Sequence, residues 1–370
     1  MLSLKKVENK KDLNRFIKFP YQLYRSDPNW VPPLISDQRE MLERRHPFWR
    51  HARAEFYLVE RDGEVVGRIA SIIDDNYISF HNEKTGYFGF YEAVDDDEVA
   101  RILIEAAVGY LKKEGMVEMI GPMNPSTNEE CGFLVEGYDS PPVIMMTYNP
   151  PYYHRQMERS GLEKASDLLA FLFRIEDAPV DRLRRFKERI VEKYPDLTVR
   201  PVDLKHLDRD VMKIKEVYND AWQRNWGFVP MTELEFEHMK KKLKPLCVPE
   251  LVPIIEIGGE PAAVALSLPD YNRVLKHLNG RLDLIGIIKF LWYRRKINFG
   301  RMLIMGVKHK YRRMGLEAIL FYESIMAGKK LGYWGGELSW ILEDNLVTKN
   351  TIEKVGGRVY KRYRIYRCKV

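Results

Sequence analysis

The sequence predicts an α/β protein of mixed sheets: two similar domains in tandem, each a mixed central sheet flanked by helices. Length is the first reason, since 370 residues, 45% of them hydrophobic, can fill two cores of ordinary size and are long for one. Self-similarity is the second. The stretch DGEVVGRIASIIDDN, from Asp62 to Asn76, lies over GGEPAAVALSLPDYN, from Gly258 to Asn272, at an offset of 196. Gly63, Glu64, Ser71, Asp74 and Asn76 recur as Gly259, Glu260, Ser267, Asp270 and Asn272. The same offset pairs Asn149 with Asn345 and Gly161 with Gly357, and a strand-like run follows each glycine. Third, strand-like and helix-like stretches alternate around hairpins. The expected division is residues 1–176, a junction over 177–197, and residues 198–370.

In the first half a helical pattern covers residues 11–23, and a hairpin over 56–73 turns at a Gly-Glu pair. A strand over 87–93, a helix over 98–114 and a strand over 117–120 follow. The second half opens on the strand LTVRPV and two helical patterns, 207–225 and 232–244. After its hairpin come an apolar insertion over 282–299, the strand RMLIMGV and a helix over about 315–330. The strand YWGGELSWI, a short helix after Asn345 and a last strand complete it.

Composition narrows the function classes. With 31% charged and 12% aromatic residues the chain is globular, and no run approaches the roughly 18 apolar residues needed to cross a bilayer. The start, MLSLKKVENKKDL, has no apolar core for a signal peptide, so a cytoplasmic address is expected. Cys131, Cys247 and Cys368 show no paired ligand spacing, which argues against a disulfide framework and a metal site. A net charge of +7 favours anionic partners. Nucleic acid is not expected among them, because no basic stripe interleaved with aromatics appears.

The stretch VKHKYRRMGLEA, Val307 to Ala318, leads from an apolar strand through basic residues and a glycine straight into a helix. Such a turn receives the first unpaired N–H groups of the helix, and those donors with the helix dipole favour an anion. Arg312 and Arg313 can add charge-assisted bonds, and Gly315 allows close approach to the backbone. A solvated helix start has the same features, so the turn alone decides nothing.

With Val307 five residues before Arg312, then Gly315 and Leu316, the segment resembles the cofactor motif of the GNAT superfamily of acyl-CoA N-acyltransferases. Asn345 lies eleven residues before Gly356, similar to that family's asparagine, helix, glycine, strand segment. Glu317 departs from the pattern by standing at the usual small-residue place, with Ala318 one later. The likeness covers the second half well and the first half less specifically, and so implies a tandem GNAT protein. It implies a strand at Val307 that splays from its neighbour to admit the pantetheine arm of acetyl-CoA or another acyl-CoA. The pyrophosphate would rest on the amides from Arg313 through Met314, Gly315 and Leu316 to Glu317. It also implies direct attack by an amine, on a small molecule or a peptide, with a backbone N–H near Val307 stabilising the oxyanion.

For the base that takes the ammonium proton, Glu337 in WGGELSW stands where the family often carries a carboxylate. The family's tyrosine on the short helix is not matched, since that region reads TKNTIEKVGG, and Tyr360 or Tyr363 could substitute. Both could equally be ordinary aromatic members of a strand, and Glu337 a salt-bridge partner.

No phosphate cradle is visible in the first half, where DDDEVA places carboxylates before the helix. Its long loop from Gly121 to Tyr153 offers Asn124, Ser126, Asn128 and Glu129 for an acceptor site, or else covers a sheet edge. In NDAWQRNWGFVP, Trp222 and Trp226 could wall an acceptor pocket or simply pack between helices. The apolar LDLIGIIKFLWYRRK, Leu282 to Lys296, is too short to span a membrane but could lie on lipid, line a long-acyl pocket, or be a buried insertion helix. N-acetyl transfer leads these readings. A tandem-GNAT aminoacyl or long-chain acyl transferase is the alternative enzyme, and a non-catalytic acyl-CoA or anion sensor the alternative of another class.

Overall fold

The computed structural model describes the chain apart from Arg224. It divides into two compact units, neither a continuous run: residues 1–168, 275–291 and 361–370 form the first, and 169–274 with 292–360 the second. The linear division drawn from the repeat therefore changes. Most of the last strand belongs to the first unit, where its aromatic and aliphatic side chains find a core.

The first unit contains β1 (Leu2–Lys6), α1 (Lys10–Leu23), α2 (Ile35–Leu42), β2 (Ala52–Arg61), β3 (Glu64–Asp74), α3 (Asp75–His81), β4 (Thr85–Ala93) and α4 (Asp97–Lys113). It continues with β5 (Glu118–Gly121), β6 (Met123–Asn124), β7 (Glu130–Cys131), β8 (Phe133–Glu136), α5 (Tyr152–Arg159) and the beginning of β9 (Glu163–Arg174). The second unit adds α6 (Val180–Lys193), β10 (Leu197–Pro201), α7 (Leu207–Trp222), α8 (Glu233–Leu243), β11 (Pro253–Ile257), β12 (Glu260–Pro269) and α9 (Asn272–Leu275). The chain then runs through α10 (Leu284–Tyr293), β13 (Phe299–Val307), α11 (Leu316–Lys330), β14 (Gly335–Leu342), α12 (Leu346–Lys354) and β15 (Arg358–Lys369). The expected junction is mostly the helix α6, whose Leu183 and Ile190 are buried.

In the first unit the sheet order is β1-β2-β3-β4-β5-β15, and in the second β9-β14-β13-β12-β11-β10. Among the described registers each unit has one parallel pair, β4 with β5 and β13 with β14, beside antiparallel hairpins. The repeat has a physical basis in both hairpins. Asp74 accepts from the Asn76 N–H at 2.9 Å, and Asp270 from the Asn272 N–H at 3.2 Å, so each carboxylate caps the turn that ends its strand.

One face of the second sheet packs on α11, with Ala263, Ala265 and Val307 against Leu316, Ile319 and Leu320. The other packs on α7, with Ile254 and Val264 against Ile214 and Val217. Alternation along the strands produces this division, since Val264 and Ala265 point to opposite sides. α4 plays the part of α11 in the first unit, burying Leu103, Ala107 and Leu111 against Ile69, Phe88 and Met119.

Candidate functional site

Pairing of β13 with β14 begins at Phe299 opposite Gly335 and stops at Met302 opposite Leu338. β13 runs on to Val307, still paired with Ala263 of β12, and β14 to Leu342. Among the described residues the two strands form no ladder over these last stretches. They part, leaving one side of β13 open to a ligand that pairs with backbone.

Val307 is buried, and the chain turns through a 3-10 turn at His309–Tyr311 into α11. Gly315 caps that helix with φ of 81°, a left-handed conformation that a glycine adopts without steric cost. No side chain caps the helix N-terminus. The amides of Arg313 and Gly315 donate to no backbone carbonyl in the described structure. Arg313 is itself left-handed, with φ of 67°, so the loop's peptides are turned to an unusual degree. A Cβ on Gly315 would come within 2.5 Å of the Phe186 ring and 3.1 Å of Ile190, both on α6. The glycine is thus needed for packing as well as for its left-handed backbone.

The basic residues of the loop divide into two groups. Lys308 bonds Glu260 at 2.9 Å and also pairs with Glu216, and Lys310 pairs with Glu260. Hydrogen bonds from Lys310 and Lys308 hold the Glu260 carboxyl down at about 2. These two lysines are therefore structural. Arg312 is exposed and touches only the Ala221 carbonyl among its described contacts, at 3.3 Å, while exposed Arg313 has no partner among the described residues. Glu317 is half-buried in the first helical turn. Asn345 caps α12 by accepting from the Thr348 N–H at 3.2 Å.

Val307 and Leu338 face α11, so Gly306 and Glu337, one residue along their strands, face the opposite side. There Trp222 lies so close to β13 that a Cβ on Gly306 would meet its ring at 2.3 Å. Tyr218 stacks on Trp222 at 5.0 Å, and its phenol, pushed up by burial, stays protonated. Trp226 stands exposed, apart from this stack.

Glu337 is 1% exposed and accepts from Ser339 Oγ at 2.5 Å and from the Tyr360 hydroxyl. Arg301, opposite it in register, donates to Ser339 Oγ at 2.9 Å and to the Ser339 carbonyl at 3.2 Å. The structure thus brings Glu337 and Tyr360 together in a buried network that Ser339 links to the Arg301 guanidinium. Arg301 and Ser339 were not legible beforehand, because nothing in either strand shows the parallel register that aligns them.

His309 is a further residue that sequence reasoning missed. Its ring Nδ1 lies 3.1 Å from Asp220 Oδ1, which also accepts the His309 backbone N–H at 2.5 Å, while the buried Nε2 has no partner among the described residues. Burial works against the charge on Asp220, and the His309 backbone N–H and ring more than offset it, holding its pKa below the ordinary range. The pair is 89 residues apart in sequence, so only the fold reveals it.

In the first unit β4 and β5 also part, after Tyr87 and Ile120. Here the chain fills its own gap: Asn124 Oδ1 accepts from the Phe90 N–H at 2.6 Å. The helix beyond is capped by Asp96, which accepts from the amides of Glu98 and Val99. Asn124 thus holds the backbone of β4 beyond the point where β5 leaves it. Ser126 is buried and accepts from the Asn128 N–H at 3.2 Å within a turn, and Glu129 lies 3.7 Å from His46.

No family model matches the chain. It is 36% identical to Protein YghO of Escherichia coli over 97% of this chain and 93% of that protein. It is also 36% identical to Bacterial ceramide synthase of Caulobacter vibrioides, over 99% and 97%. The fold matches that of a tandem GNAT protein from the clavulanic acid biosynthesis pathway, with a TM-score of 0.60 at 10% identity, covering 100% of this chain and 98% of that one. The chain belongs to the family of Protein YghO and Bacterial ceramide synthase, and its fold is similar to that of a tandem GNAT protein.

Proposed function

We propose that the second unit binds an acyl-CoA and transfers its acyl group to an amine. The parting of β13 from β14, leading directly into the uncapped loop at Arg313 and Gly315, is the observation that carries this reading. The gap offers unpaired backbone to the amides of a pantetheine arm, and the loop offers N–H donors with Arg312 and Arg313 to a pyrophosphate. The residues from Val307 to Glu317, with Asn345, form the donor-binding segment of the proposal. Trp222 over Gly306 walls the acceptor side.

Glu337 is the proposed base, with Tyr360 as the half-buried member between it and the acceptor. An arriving ammonium loses its proton toward this pair, the amine attacks the thioester carbon, and the carbonyl oxygen gains the electron pair. The tetrahedral species then re-forms the carbonyl as the C–S bond breaks, and the departing CoA thiolate takes up the proton that the attacking nitrogen gives up.

A long-chain acyl group is favoured over acetyl by the similarity to a protein named Bacterial ceramide synthase, since a ceramide is the N-acyl derivative of a long-chain amino alcohol. The test is to incubate the full chain with acetyl-CoA or palmitoyl-CoA and a panel of amines, reading thiol release and the mass of the N-acylated product. Product with the long chain and a long-chain amino alcohol supports the reading. Thiol release without any N-acyl product defeats it.

A further inference from the structure

We infer that α10 and the basic turn after it form a docking surface for an anionic lipid bilayer. The helix is apolar where a helix of a globular protein is normally polar. Leu284, Ile285, Ile288 and Trp292 are exposed by 81%, 66%, 69% and 60%, and Ile287 and Leu291 are exposed as well. At 3.6 residues per turn these six side chains sweep roughly 160° of the circumference. Gly286, on the other side, is buried, and Phe290 and Tyr293 are half-buried, so the helix lies with its small and aromatic side inward and its aliphatic side to solvent. Contiguous exposed apolar surface of this kind marks an interaction site.

The occupant follows from the charges around that stripe. Lys289 stands at its rim, and Arg294, Arg295 and Lys296 follow the helix directly, all four exposed. The Lys296 ammonium lies 5.3 Å from the Trp292 ring centroid and 5.6 Å from that of Tyr293, placing cation and aromatics at one level. Asp283 is the only acidic residue between Leu282 and Lys296. An aliphatic stripe edged by aromatics and then by cations matches a bilayer's acyl layer, interface and anionic headgroups in order. A second copy packed through the same helix would offer these four cations only Asp283 as a counter-charge from this segment, whereas an anionic bilayer offers one at every headgroup. No described helix is long and apolar enough to cross a membrane, so the helix would lie in the interface. The inference stands on the exposed helix and is independent of acyl transfer.

Flotation of the full chain with vesicles tests it. The protein should float with vesicles rich in phosphatidylglycerol, float less with pure phosphatidylcholine, and lose anionic binding as salt rises. The double variant Ile285→Ser/Ile288→Ser should bind at least tenfold more weakly, and Arg294→Gln/Arg295→Gln roughly fivefold more weakly for each residue changed. All four side chains are exposed, and an unchanged circular dichroism spectrum confirms that the variants fold. Absence of flotation, or flotation unaffected by the substitutions, overturns the proposal. So does a dimer in light scattering that Ile285→Ser/Ile288→Ser converts to monomer, because a second copy would then be the occupant.

Discussion

At the scale of single residues, the buried group around Glu337 makes the sharpest predictions. Glu337→Gln keeps the shape but removes the basic carboxylate, and should lower kcat by roughly 10²–10⁴ with little change in acyl-CoA affinity. Tyr360→Phe should lower kcat less, because the carboxylate remains held by Ser339. A rate within twofold of the parent for both would remove the pair from the mechanism. Gly306→Ala tests the acceptor wall: its added methyl meets the Trp222 ring, so the tryptophan must move, and KM for the amine should rise while that for acyl-CoA changes little. Much of this was readable in the sequence. Glu337, Val307 and Gly315 stood out because strand, loop and helix follow one another along the chain. Arg301, Ser339 and the Asp220–His309 pair did not, since their partners meet only through strand register and helix docking.

At the scale of elements, the start of α7 is held by charge. Asp210, fully buried, accepts from Arg200 through both guanidinium nitrogens at 2.6 and 2.8 Å, from the Asp203 N–H at 2.8 Å and from Arg209 at 2.9 Å. Burial alone would raise its pKa, but these bonds together hold it well below the ordinary range. A lowered folded-state pKa contributes stability that is complete above the unfolded carboxylate value of about 4. That stability is lost as pH falls through the folded value. Thermal stability should therefore drop on acidification below about pH 4, and the drop should be smaller in Asp210→Asn. At neutral pH that variant, which leaves Arg200 with Glu256 as its remaining carboxylate, should cost about 3 kcal/mol in a denaturant titration. Loss of less than about 0.5 kcal/mol would show that the network does not anchor the helix.

Helices α4, α7 and α11 were legible within a few residues, as was α8, whose capping box of Thr232 with Glu235 only the structure displays. α6 was not, because its few apolar residues in a charged run read as a linker, and its helical state follows from packing against α11. That packing also bears on experimental design. Gly315→Asp would displace Phe186 and so confuse folding with binding, whereas Arg313→Glu reverses a charge that is exposed and has no described partner.

At the scale of the molecule, the internal repeat correctly announced two related units but not their exchange of segments. Sequence order cannot show that residues 361–370 complete the first unit, where Tyr366 is buried and pairs with Gly121. Deleting those residues should abolish cooperative unfolding of the first unit, seen as loss of a calorimetric transition. The two units also differ at their parting strands: Asn124 bonds β4 in the first, while among the described residues β13 and β14 form no ladder beyond Met302 and Leu338.

Calorimetric titration with acetyl-CoA, palmitoyl-CoA and free CoA, with Arg313→Glu alongside, counts the donor sites on each chain. One acyl-CoA should bind per chain, with affinity weakened at least tenfold by Arg313→Glu and unchanged by Glu337→Gln. Binding of two molecules per chain, no binding at all, or equal affinity in Arg313→Glu would contradict that expectation.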